Sequence, residues 1–486
     1  MLKPSIEEVK RYIKDYNAFP VYKEIFSDIK TSVGILRNFM EENKKCYLLE
    51  SVESTENWGR YSFLGCDPKL TIKCNDGKIV VDDGKRCEIE TLKPETVLRD
   101  ILSRYRSPQI KSLPPFTGGL VGYFSYDYIK YIEKSLKLDN INAENFDDLY
   151  LMLFDKVIAI DHLKQKIFII VNVLTDNFET NYANAETEIE RLERLIKKES
   201  GSVDAKSELK TDLRILHNKE EFCKMVSEIK RHIYEGDIFQ AVISNGIEGD
   251  FNGTLFETYR VLRTVNPSPY MFYCNFGDSE IAGASPETLI TLKDSELTNY
   301  ALAGTCKRGK TIEEDEQLTA DLLKDEKELS EHNMLVDLGR NDLGKVSEFG
   351  SVKVVEYMKI LKFSHVSHIA SIIKGKLKTG YDQFDAVSAV LPAGTLSGTP
   401  KIKACEIINS LEKHKRGTYG GAVGYIDFTG NMDMCIAIRM AKLQNGKIYI
   451  QAGAGIVAES DPEKEFQECL NKAQAMIEAL QTASGN

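Results

Sequence analysis

The 486-residue chain is 42% hydrophobic and 28% charged, the balance of an ordinary folded protein, with a formal net charge of −11. An acidic surface argues against a nucleic-acid partner, whose phosphates call for Lys/Arg stripes. No apolar run approaches the roughly 18 residues of a membrane span. The start, MLKPSIEEVKRY, lacks the apolar segment of a secretory signal, and the ten cysteines are scattered over positions 46–469 without a C-x-x-C pair. Reduced thiols and a cytoplasmic location are therefore expected.

In chain order, CYLLESV from Cys46 and KVIAIDHLKQKIFIIVNV from Lys156 read as strands, with NDGK and DDG as turns between strands. FTGGLVGYFSYDYIKYIE, Phe116 to Glu133, reads as a glycine-punctuated strand followed by a helix. Residues 178–199 are a charged helix. Residues 200–212, SGSVDAKSELKTD, are small and polar and read as a linker between regions 1–199 and 213–486. NKEEFCKMVSEIKRHIYEGDIFQAVIS then gives an amphipathic helix, a stop at Gly236 and a strand. G-x-G-x-x-G and G-x-x-x-x-G-K-[ST] are both absent, so nothing marks a dinucleotide or nucleoside triphosphate site.

Two acidic stretches stand out. DEKELSEH carries Glu328 and Glu331, and DPEKEFQECLNK carries Glu465 and Glu468. Each pair has i,i+3 spacing, which puts like charges on one helix face at a small cost. In the second stretch Ser460 or Asp461 can cap the helix and Pro462 suits its first turn. Phe466, Leu470, Ala473, Ile477 and Leu480 form an apolar stripe beside Glu465, Glu468 and Lys472. A solvated charged face is the ordinary explanation of one such pair. Two converging pairs would suit a hard divalent cation such as Mg2+, which takes carboxylate oxygens, waters and an anionic substrate.

Before and between the pairs lie NPSPYMFY, GASPE, ALAGTCKRG, HNMLVDLGRND, LPAGTLSGTPK, YGGAVGY, CIAIRM and QAGAGIV. In this order they resemble the chorismate-utilising enzymes, most closely the anthranilate-forming branch. The resemblance is strong over 218–479 and reaches the first half through LLES, GRYSFLG and GGLVGYFSYD. It implies an α/β fold of α+β type: two large, mostly antiparallel sheets packed together with helices outside. It implies Mg2+ held directly by Glu331 and Glu468, with Glu328 and Glu465 acting through water, against a carboxylate of chorismate. Arg439, Tyr419, Thr395, Lys472 and the backbone of Gly453, Ala454 and Gly455 would bind the substrate, and Glu287 of SPE would be the general acid. Arg439 offers a forked donor for a carboxylate, and glycines let N–H groups approach an oxyanion.

Two positions separate the branches of the family. Water-using members carry a lysine base where this chain has Gln240, and aminodeoxychorismate synthases carry a lysine nucleophile where it has Ala303. The resemblance therefore implies ammonia as nucleophile. His368, with His365 as a competing alignment, and Thr305 are implied in the pyruvate-eliminating step. No cysteine has the G-x-C-x-G context of a glutaminase, so ammonia is expected from a partner amidotransferase subunit. Leu49, Glu50 and Ser51, with Pro269, Tyr270, Met271 and Phe272, resemble a tryptophan feedback site, in which Glu50 would pair with the ligand's ammonium. An aminodeoxychorismate synthase, an isochorismate synthase and a catalytically silent regulatory protein are the rival readings.

Overall fold

The apolar run from Lys156 folds as a hairpin. Lys156–Asp161 and Lys166–Leu174 pair antiparallel, and the Asp161 carboxylate accepts from the backbone N–H groups of Leu163 and Lys164 in the turn. This hairpin is the seed of one of two large sheets in the computed structural model, which describes residues 2–11, 14–51, 59–138, 140–142, 145–199, 207–362 and 366–485.

The first sheet has 13 strands. From Ala18–Phe26 it runs through the hairpin, Tyr61–Cys66, Cys46–Glu50, Tyr270–Asn275, Ser279–Ser285, Met440–Gln444 and Lys447–Ile456 to Gln240–Asn252. The second has 11 strands and runs from Lys353–Lys362 through Val366–Lys376, Glu296–Lys307, Thr288–Lys293, Met432–Ile436, Ala422–Asp427 and Gly119–Phe124 to Leu149–Phe154 and three further strands. The strand ladders within both are antiparallel. Both sheets draw strands from either side of the 200–212 stretch, of which 200–206 lie outside the described residues.

An aromatic-rich core that includes Tyr47, Phe63, Phe116, Tyr150, Phe272 and Tyr425 joins the sheets face to face. The opposite faces are covered by helices. Ser32–Glu42, Phe178–Lys197, Phe256–Val265 and Pro462–Ala483 pack on the first sheet, and Pro94–Ser103, Glu326–Gly344 and Gln383–Val390 on the second. The α+β expectation of two packed antiparallel sheets with outer helices is met.

FTGGLVGYFSYDY is glycine-punctuated for close approach. A side chain at Gly119 would put its Cβ 2.0 Å from the Ile426 carbonyl oxygen of the neighbouring strand. The helix expected after it is shorter than the pattern suggested, a 3-10 turn at Tyr126–Tyr128 and one helical turn at Ile129–Ile132.

Candidate active site

Each acidic pair sits in the first two turns of its helix. Helix Glu326–Gly344 is capped by Asp325, whose carboxylate accepts from Lys327 and Glu328 N–H groups. Helix Pro462–Ala483 is capped by Asp461 in the same way, through Glu463 and Lys464. Helix N-termini favour acidic side chains, which offsets part of the like-charge cost. The apolar stripe of the second helix is displaced from the expected one. Cys469, Ala473, Met476 and Leu480 are buried, while Phe466, Leu470 and Ile477 are half-buried. Small Cys469 and pliant Met476 pack nearest the sheet.

The helices bring Glu328, Glu331, Glu465 and Glu468 to one cleft of about 530 Å3. Burial raises Glu331 and Glu465 above the ordinary carboxylate range; Glu328 and Glu468 push Glu331 further, and Glu468 does the same to Glu465. Glu331 and Glu468 lie on different helices, so this effect on Glu331 expresses their convergence. Among the described residues, no three of the four glutamates bring carboxylate oxygens within 4.8 Å of one another. An all-oxygen donor set of this kind matches a hard cation.

Gln240, Glu287, Thr395, Tyr419, Arg439, Gly453, Gly455 and Lys472 line the same cleft. Lys472, one turn beyond Glu468, pairs with it at 2.6 Å and donates to the Gly453 carbonyl oxygen at 3.0 Å. Arg439 is anchored by Nη1 donating to the Lys472 carbonyl oxygen at 2.6 Å, and its backbone is left-handed at φ +52°. A non-glycine residue there stores about 1 kcal/mol or more of strain, a frequent feature of sites. Gly453 cannot be replaced cheaply, since a Cβ there would lie 2.8 Å from both the Ile243 carbonyl oxygen and the Tyr419 hydroxyl; one on Gly455 would meet the far end of Gln240, 2.7 Å from Nε2.

Glu287 follows strand Ser279–Ser285 and faces the cleft half-buried. Its carboxylate accepts from the Thr395 hydroxyl at 3.1 Å, yet desolvation pushes its pKa up to about 7, against the opposing pull of Thr395 and Lys472. It can therefore hold a proton near neutrality.

Two expected site residues, Ala454 and His368, point their side chains elsewhere. Ala454 points away from the cleft into a core with Ile243 and Ile456, because alternate strand residues face opposite sides and the two glycines take the cleft side. His368 is half-buried in strand Val366–Lys376 and does not line the cleft; burial lowers its pKa, opposed by the backbone of Gly304, which does line it. Thr305 is the backbone partner of His368, but its side chain and the competing His365 lie outside the described residues.

Two cleft residues escaped the sequence reading, Lys327 inside DEKELSEH and Gln451 at the head of QAGAGIV. The signal for Gln451 was strand alternation, which puts it on the face of Gly453 and Gly455.

A separate cavity of about 160 Å3 is lined by all seven residues Leu49, Glu50, Ser51, Pro269, Tyr270, Met271 and Phe272, together with Tyr61, Phe63, Tyr425 and Asp433. Register explains the gathering, since Met271 pairs with Glu50 and Phe272 with Leu49. Ser51 Oγ is buried with no hydrogen-bond partner. The Glu50 carboxylate lines the cavity and is already engaged. It accepts from Ser32 at 2.8 Å and Tyr259 at 2.6 Å and pairs with Arg263 at 2.5 Å, which ties its strand to the neighbouring helices.

Residues 44–478 match the family model described as chorismate binding enzyme. The chain is 44% identical over 495 aligned positions to "Anthranilate synthase component 1" of Acetivibrio thermocellus, covering 99% of each. It is 42% identical to the Aquifex aeolicus protein of that name, covering 99% of this chain and 98% of that one. The crystal structure of anthranilate synthase component I from Streptococcus pneumoniae superposes with a TM-score of 0.76 at 37% identity, covering 87% of this chain and 93% of that one. The isochorismate synthase MenF of Escherichia coli, at 19% identity and a TM-score of 0.69 over 98% of both chains, shares the fold. On the fold, the cleft and these likenesses together, the chain belongs to the chorismate binding enzymes.

Proposed function

We propose that the chain converts chorismate and ammonia to anthranilate and pyruvate, as the chorismate-handling component of an anthranilate synthase. One observation carries the choice within the family. Gln240 and Ala303, where the rival branches place lysines, both line the cleft and are both neutral. Neither a base to activate water nor an amine nucleophile stands there, which leaves ammonia, a nucleophile that needs no activation.

Arg439, Lys472 and the backbone at Gly453 and Gly455 hold the substrate carboxylates, with the Tyr419 hydroxyl beside them. Glu287, protonated near neutral pH, gives its proton to the C4 hydroxyl as that group leaves, and Thr395 orients the carboxyl. Attack at C2 yields 2-amino-4-deoxyisochorismate, from which pyruvate is eliminated to form the aromatic ring; His368 is assigned to this second step. Glu331 and Glu468 would hold Mg2+ directly and Glu328 and Glu465 through water, and the bound ion would supply positive charge for a substrate carboxylate. The amidotransferase that releases ammonia from glutamine is a separate partner subunit. Tryptophan in the cavity beside Ser51 acts as feedback inhibitor by favouring a state with a poorly formed cleft.

The test is fluorescence of the product. Purified chain, chorismate, Mg2+ and excess ammonium near neutral pH should yield anthranilate. Aminodeoxychorismate, isochorismate or no turnover would overturn the reading.

A further inference from the structure

A third cavity, of about 430 Å3, lies against the catalytic cleft and shares Tyr419 and Gln451 with it as a common wall. Its lining is basic although the chain has a net charge of −11. Of its five Lys and Arg side chains, three are already paired: Arg214 with Glu248, Lys415 with Asp76 at 3.0 Å and Arg416 with Glu412 at 2.5 Å. The other two, Lys442 and Lys447, have no carboxylate oxygen within 4.0 Å among the described residues.

Lys442 is 4% exposed. Its ammonium donates to the Tyr123 hydroxyl at 3.2 Å and sits 4.3 Å from the centre of the Phe146 ring. A hydroxyl and ring faces compensate a buried cation poorly, and burial lowers its pKa to about 8, with Asp147 and Asp278 opposing. Beside it, Phe146 and Tyr449 stand edge to face at 5.1 Å and make an aromatic wall. A buried, undercompensated cation at an aromatic wall matches a ligand with an anionic head and a flat apolar body.

We propose that this cavity binds a small aromatic carboxylate, its carboxylate against Lys442 and Lys447 and its ring against Phe146 and Tyr449. Anthranilate, which is 2-aminobenzoate, has this chemistry, and the shared wall places the cavity beside the cleft in which that product would form. The choice of that product as ligand rests on the function proposed above; the binding of an aromatic carboxylate does not.

The test is a titration of the full chain with 2-aminobenzoate, followed by its fluorescence, in the wild type, Lys442→Met and Arg439→Met, with 2-aminobenzamide as the uncharged control. Wild type and Arg439→Met should bind the acid alike. Lys442→Met should weaken it on the order of tenfold, the value of one charge-assisted contact, and the amide should bind as weakly to wild type as the acid does to Lys442→Met. Equal affinity in Lys442→Met and wild type would overturn the proposal, as would loss of binding in Arg439→Met, which would place the ligand in the catalytic cleft. Methionine keeps the length of the lysine stem; should Lys442→Met still misfold, wild-type crystals soaked with 2-aminobenzoate decide. Ligand between Lys442 and Phe146 supports the site, and ligand in the catalytic cleft alone refutes it. Binding needs no turnover, so this result and the outcome of the chorismate assay are read separately.

Discussion

The Thr395 hydroxyl donates to the Glu287 carboxylate at 3.1 Å, across 108 residues of sequence. It favours the charged form, and burial overrides it, so the carboxyl titrates at about 7. A general acid with that pKa is protonated below neutrality and lost above it. Turnover should therefore fall as pH rises through about 7, with ammonia held constant as the free base. Thr395→Val removes a bond to the carboxylate, raises the pKa further and should shift that falling limb of the kcat/KM profile to higher pH. Glu287→Gln should lower kcat by about 100-fold or more. The same group bears on stability. Its folded pKa lies above the unfolded value of 4.5, so its burial costs stability increasingly as pH rises from 4.5 to about 7. Glu287→Gln should then unfold at a higher temperature than wild type at pH 8, measured by calorimetry.

Removing one carboxylate from the acidic cluster should separate stability from function. Glu331→Gln or Glu468→Gln should keep the fold and lose turnover, since an amide cannot replace a charge at the cation. Mg2+ should raise the unfolding temperature of the wild type and not of either variant. Full activity in either variant at ordinary Mg2+ would show that the assignment is wrong.

The chain by itself should use ammonium and not glutamine. All ten cysteines are free thiols, and seven of them are buried; none has the G-x-C-x-G context of a glutaminase. Glutamine-dependent anthranilate formation by the purified chain would contradict this.

Tryptophan should inhibit in the micromolar range, about 8 kcal/mol of binding, and less strongly as chorismate rises. Ser51→Ala removes a buried hydroxyl of that cavity that has no partner among the described residues and should relieve inhibition with catalysis nearly unchanged. Glu50→Ala is a different experiment. It strips a buried carboxylate from Ser32, Tyr259 and Arg263 and should cost on the order of 3 kcal/mol of stability, seen in denaturant unfolding. Inhibition of Ser51→Ala equal to that of the wild type would remove the feedback site from this cavity.

The acidic pairs, their helix caps and the strand-rich character of the first half are local matters, legible because i,i+3 spacing, Asp capping and period-two alternation depend on neighbours in the chain. The ordered motifs were legible too, as a resemblance. What only the tertiary structure decided is which side chains meet. Glu468 bears on Glu331 because two helices on different sheets bring their first turns to one cleft. A motif such as AGAG names a stretch, while strand alternation sends neighbouring side chains to opposite faces, the Ala454 methyl away from the cleft and its two glycine neighbours toward it. Lys442 carries no motif at all. Its meaning arises from burial beside Phe146 without a carboxylate oxygen within 4.0 Å among the described residues, an electrostatic fact that packing creates and a linear sequence does not contain.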